Sequence, residues 1–366
     1  EGQENIAITG DGVIDGQGRQ VALNVIALVR SGVIEDPLGN DRPREVNRPM
    51  ILYFRSCRNI TIQDITLKNA ASWVQSYDQV KNLRIDHITV DSRAYWNNDG
   101  IDIVDCDSVS ITNSYIDAAD DGICLKSHQN EALCNNILIR NNTIRSSANA
   151  IKFGTASHGG FRNVRIIDNK VFDTYRSAIA IECVDGGFLD SITVDSLQAF
   201  HTGNAIFIRL GQRVKERKGS LSNVQISNVT VTIPAGKPDA GYDYEGPIED
   251  MPRNISPIVI SGLPGQYITN VHFSNIEVKY PGGGNELFAN APLDQPDSIP
   301  EMPEKYPEFS MFKELPAWGI YIRHARELQF SNIRLSCEKK DYRVPIVMDD
   351  VHNAQFSSLH IQQPNR

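Results

Sequence analysis

The sequence is short of the features that usually decide a class at once. No apolar run approaches the roughly 20 residues of a membrane-spanning helix. No signal segment opens the chain, and Glu1 reads as the start of a mature or trimmed product. Six cysteines in 366 residues form no Cys-x-x-Cys pair, which argues against a zinc site. Cys57, Cys106, Cys124 and Cys183 sit in apolar runs and read as buried thiols; Cys124 and Cys134 could bridge a loop. There is no excess of positive charge. A net charge of -9 and a pI near 5.4 argue against nucleic acid and anionic membrane surfaces as partners. An anionic substrate stays open, because a local basic cluster can outvote the total.

Helical periodicity is missing as well. In its place, the pattern Asn-apolar-x-apolar-x-(Asn/Asp/Ser)-x-x-apolar recurs, some copies loosely, from Asn5, Asn59, Asn82, Ser108, Asn136, Asn163, Ser191, Asn223, Asn270, Glu327 and Asn353. Through the middle of the chain these starts lie 23 to 28 residues apart. Such a period means a solenoid, and short β-branched elements make it one of strands. A second alternating strand precedes most copies. Stacked, these strands give an inward ladder of Ile101, Ile123, Ile151, Ile179 and Ile206 beside a ladder of Ile103, Leu125, Phe153, Ile181 and Ile208. The expected fold is all-β, a single-stranded right-handed parallel β-helix. The corner asparagines tolerate the left-handed turn conformation, and their amides can hydrogen bond from coil to coil. One coil cannot bury its own face, so residues 1–366 read as one domain, with insertions near 212–222, 233–256 and 279–317 that could shape a groove.

The same register sorts the outward side chains into columns. One holds Asp99, Asp121, Asn149, Ser177 and Asn204; the next Asp102, Cys124, Lys152, Ala180 and Phe207; a third Val104, Lys126, Gly154, Glu182 and Arg209. Just before the first lie Asp120 and Arg176. Coils stack roughly 4.8 Å apart, so four carboxylates share one small patch. Such crowding splits pKa values or demands cations. From the spacing alone, three readings stand: an acid and base pair for glycoside hydrolysis, a Ca²⁺ site, or a structural Asx ladder.

At these residues the chain resembles the polygalacturonase-type glycoside hydrolases of family 28. Ile8 through Gly18 resembles the family's early Gly-rich coil, Asn98-Asp99-Gly100-Ile101-Asp102 its Asn-Thr-Asp-Gly motif with Asn98 in the Thr place, and Asp120-Asp121-Gly122 its Asp-Asp pair. The resemblance implies a general acid at Asp120, a water held by Asp99 and Asp121, and inversion at the sugar. Inverting pairs usually stand roughly 6.5–9.5 Å apart, more than one coil spacing, so the acid and base rotamers must diverge. Two motifs depart from the family. Its Gly-His-Gly falls on Ala148-Asn149-Ala150, and its Arg-Ile-Lys, whose cations hold a substrate carboxylate, falls on Ala180-Ile181-Glu182. Asp102, Lys126, Asn149, Lys152, Arg176, Glu182 and Arg209 are the expected substrate-binding residues. Lys152 stands one coil early in the missing arginine's column, where it could hold a uronate in a shifted place. Salt bridges to Asp102 or Glu182 are the alternative for Lys152 and Arg209, less so for Lys126.

The combined reading is a monomeric glycosidase acting on a pectin-like polysaccharide or oligosaccharide, secreted or periplasmic, with neither metal nor other cofactor. Rhamnogalacturonan-type or substituted chains fit the missing cations better than plain polygalacturonate. The rivals are a β-elimination lyase and a non-catalytic carbohydrate-binding solenoid. Exo or endo action turns on whether 233–256 or 279–317 blocks one end of the groove. Among the aromatics, Trp96 is the expected cleft residue, Trp73 and Trp318 are expected in packing, and Tyr242 and Tyr244 could stack on sugars.

Overall fold

The computed structural model describes residues 1–37, 39, 43–237, 255–289 and 291–364. Over these the chain winds into a parallel β-helix, each strand pairing in parallel with those one coil before and after. The insertion at 233–256, with Tyr242 and Tyr244, lies mostly outside the described residues.

A coil holds three strands, not the two expected. One coil is Ile101–Val104, Asp107–Thr112 and Tyr115–Ala118; the next is Ile123–Ser127, Cys134–Arg140 and Thr143–Ser146. The third strand hides in the tail of the repeat pattern because a left-handed residue such as Asn113 or Asn141 bends the chain within it. Every one of the eleven repeat starts is left-handed, with φ from 53° at Asn163 to 62° at Ser108. Asparagine tolerates that conformation because its short amide can bond locally. The amides do ladder: Asn59 Nδ2 donates to Asn5 Oδ1 at 2.8 Å and Asn82 Nδ2 to Asn59 Oδ1 at 2.9 Å.

The inward ladders fall as expected. Ile123 pairs with Ile101 and Ile151, Ile179 with Ile151 and Ile206, and all are fully buried. One apolar core runs along the axis from Leu52 to Cys337. All six cysteines are buried free thiols. Buried thiols were the expectation, and the alternative of a Cys124–Cys134 bridge is not realised: Cys134 belongs to the axial core, whereas Cys124 faces outward and donates to Gly154 O at 3.0 Å.

The helix Gly18–Arg30 was not expected. It buries Gly18, Ala22 and Val25 after the second strand, Val13–Asp15. It is one amphipathic helix in a chain otherwise read at the strand period. No helix among the described residues is long and apolar enough to cross a membrane.

The second outward column explains where the 279–317 insertion goes. Asp102, Cys124, Lys152, Ala180 and Phe207 continue in register through Val259, Tyr321 and Val347. The column thus turns from polar to apolar at Phe207. Phe207, Val259, Tyr321 and Val347 form a second core with Ile299, Phe309, Phe312 and Leu315 of the insertion. Burying that apolar surface folds the insertion back onto the later coils and closes the outward face there.

Candidate active site on the outward strand face

Two glycines fix where the carboxylates stand. A Cβ on Gly100 would lie 2.5 Å from Gly122 O, and one on Gly122 would lie 2.6 Å from both Ala150 O and Ile144 Cγ2. Only glycine lets these coils close up, so Asp99 and Asp121 sit at a tight corner just before their strands. Gly122→Ala is expected to cost about 2 kcal/mol by overpacking, seen as a lower urea midpoint, and to reduce any activity by displacing Asp121.

Asp99 and Asp102 share one ammonium. Lys126 Nζ donates to Asp99 Oδ2 at 3.0 Å and to Asp102 Oδ1 by a short contact, and it lies 4.2 Å from the centroid of the Trp73 ring. Burial pushes both carboxyls up, with Lys126 opposing; Lys126 itself is raised well above an ordinary lysine by the two acids, against its own burial. We read the trio as two carboxylates around one permanent cation. Asp99 and Asp102 also lie with Cys124 in the one trio of metal-ligand spacing among the described residues, and Lys126 Nζ bonds two of its three members.

Asp121 is held from three sides. Its Oδ1 accepts from Asn149 N and Nδ2, both at 3.0 Å, and its Oδ2 lies 3.3 Å from Lys152 Nζ. Burial works against ionisation here, but Lys152, Lys126 and Arg176 with the Asn149 amide outweigh it and hold Asp121 below the usual carboxylate range. Asp120 is the opposite case. It is half-buried, accepts from Asp121 N at 3.0 Å, and has no ion pair among the described residues. Burial first, then Asp99 and Asp121, push it up to about 8. Adjacent residues on one corner thus hold one protonated and one ionised carboxyl.

The remaining expected binding residues are placed differently from the sequence reading. Asn149 is buried, and its Oδ1 accepts from Ser177 N at 3.2 Å, so it orients Asp121 from below. Lys152 is 1% exposed and pairs with Asp121, not with Asp102 or Glu182; its Nζ also donates to the Tyr306 hydroxyl at 3.1 Å. Lys126, the cation least expected to bridge Asp102, is the one that does. Arg176 pairs with Glu308 at 2.5 Å. Arg209 does not reach the groove. It is 1% exposed under the insertion, where its guanidinium donates to Ser261 Oγ at 2.8 Å and Glu301 O at 2.7 Å. The third column breaks at Gly154, because two extra residues enter between Phe153 and Ser157 against Leu125 and Ser127. Toward the next coil the register holds through Phe153 and Ile181, so Gly154 stands against Glu182 as the column expects: a Cβ there would lie 3.4 Å from Glu182 Oε2. Glu182 is fully buried, neither oxygen has a hydrogen-bond partner among the described residues, and burial raises it well above an ordinary glutamate.

Three contributors were missed. Tyr306 and Glu308 come from the insertion, and their signal was the apolar turn of the Phe207 column, which required a cover. Trp73, expected in packing, lies against Lys126, whereas Trp96 is tilted against Tyr95 at 6.1 Å. Trp318 is buried against Tyr280, as expected.

The profile of glycosyl hydrolases family 28 matches residues 1–240. The chain belongs to that family. Within family 28, a polygalacturonase of Persea americana is 23% identical over 236 residues, which are 63% of this chain and 43% of the relative. The chain therefore spans less than half the length of that relative. A family 28 exopolygalacturonase from Yersinia enterocolitica matches 96% of this chain and 59% of its own at 17% identity, with a TM-score of 0.64. The same solenoid also serves a surface adhesin of Streptococcus pneumoniae (TM-score 0.52, 15% identity, 98% of this chain and 71% of that one), so the fold by itself does not assign a reaction.

Proposed function

We propose that this protein hydrolyses an α-glycosidic bond in a pectin-like polysaccharide or oligosaccharide, with inversion. The observation that carries this is the opposed state of two neighbouring carboxyls: Asp120 raised to about 8 and Asp121 held low by Lys152 and Asn149. Asp120 protonates the leaving oxygen. Asp121 and Asp99, each beside a lysine ammonium, take the proton of the attacking water. Acid, base and water complete the reaction. The names of the relatives support a pectic substrate. The outward face is closed from Phe207 onward, which supports a groove with one blind end and attack near a chain terminus.

The test is an assay on pectic oligosaccharides read by NMR for the anomer first formed, by chromatography for product length, and by ultraviolet absorbance. The expected result is an inverted anomer, short products and no absorbance. Because the acid must be protonated, kcat/KM should fall about tenfold per pH unit above about 8. New reducing ends accompanied by a new ultraviolet band would make the protein a lyase, and no turnover of any substrate would favour the binding solenoid.

A further inference from the structure

We infer that the sugar seated over Asn149, Lys152 and Glu182, beside the cleaved bond, is uncharged. The proposal rests on the hydrolase reading for the position of that bond. It goes against the family's polygalacturonase names, and it stands on how the charges of this site are already committed.

Three cations surround the place where a uronate carboxylate would sit, and each is engaged, as is Arg213 near Glu182, which is closed on Asp185. Lys126 serves Asp99 and Asp102. Lys152, 1% exposed, is closed between Asp121 and the Tyr306 hydroxyl. Arg176 is bound by Glu308. Arg209 is turned to the carbonyls of Glu301 and Met302. Against these three stand six carboxyls: Asp99, Asp102, Asp120, Asp121, Glu182 and Glu308. With Asp120 and Glu182 protonated, four anions still face three cations. Glu182 occupies the place of the family's lysine and has no ion partner among the described residues. A uronate would enter a site already negative, walled by buried strands, where the cations described here are drawn on only by breaking an existing pair. A neutral hexose brings only hydroxyls.

The size of the effect follows from Coulomb's law. One uncompensated like charge at about 6 Å, in an effective dielectric of about 20, disfavours the anion by roughly hundredfold.

Carboxyl reduction of oligogalacturonate isolates this variable, since it replaces each carboxylate by a hydroxymethyl group and leaves ring stereochemistry and linkage intact. Two measurements use the full chain: kcat/KM of the wild type, and calorimetric Kd of the Asp120→Asn variant, each on the parent and the reduced oligosaccharide. The reduced form is expected to be favoured by roughly hundredfold in both. Equal or better turnover of the parent overturns this inference and leaves the hydrolase reading standing. Preferential binding of the reduced form without turnover supports the inference and overturns the hydrolase reading. Binding of neither overturns both.

Discussion

Asp120→Asn should abolish turnover and at the same time make the protein more stable. The loss of activity follows from the acid's role, since a positioned general acid contributes on the order of 10²–10⁴-fold and nothing nearby can replace it. Asp99 and Asp121 are tied to lysines, and Glu182 is sealed under Gly154. The gain in stability follows from the direction of the shift. Asp120 is raised to about 8 by burial and by Asp99 and Asp121, from 3.8 when unperturbed. The folded state therefore binds this proton more tightly than the unfolded chain. The stability that this one proton contributes is fully present below about pH 4 and is lost as pH climbs from about 4 to about 8. Asparagine has no proton to lose and can still accept from Asp121 N. At pH 7 the difference should be about 2 kcal/mol, discounted from the full shift because Asp120 is only half-buried. Urea midpoints of the two proteins at pH 4, 6 and 8 decide it: the gap should be small at pH 4 and widest at pH 8. A variant that is less stable at every pH would mean that Asp120 is a structural residue.

Much of this was legible because a solenoid repeats its argument. Each corner asparagine faces the same steric problem, so eleven weak local signals agree on one register, and that register alone sets Asp99, Asp121 and Asn149 in one column. What the sequence could not show is where the repeat is broken or crossed. The two residues inserted after Gly154 change no apolar pattern, yet they break the pairing of that strand with the one before it, just where Lys126 stands. Tyr306 reaches Lys152 across 154 residues from an aperiodic insertion. Partner choice among the cations was also beyond a column argument. A lysine stem spans more than one coil spacing, so Lys152 meets Asp121 on its diagonal while Lys126 reaches back to Asp102. The corrections at Arg209 and Lys152 share one cause: an outward position on a strand is exposed only if nothing folds over it, and here the insertion does.

Lys126 carries the second large effect. Lys126→Met should cost about 3–5 kcal/mol, because it leaves Asp99 and Asp102 buried around a missing charge. Methionine keeps the length of the stem and can pack on the Trp73 ring, so the change isolates the ammonium. Without it both carboxyls rise further, since burial and their mutual repulsion are no longer opposed. The folded variant then gains protons as pH falls, and its deficit against wild type should be smaller in acid than at neutral pH. Activity near neutral pH should fall too, because a protonated Asp99 cannot take the proton of the water. Adding Asp102→Asn removes one of the two stranded acids. It should restore more than half of the lost stability but little of the activity, since Asp99 still lacks its lysine. Urea denaturation of the wild type, Lys126→Met and the double variant, each at pH 4.5 and 7.5, reads all three expectations. A single variant that unfolds within about 1 kcal/mol of wild type at pH 7.5 would show that the ammonium is not needed to hold the acids, and would return Lys126 to the groove as a cation free to meet a substrate carboxylate.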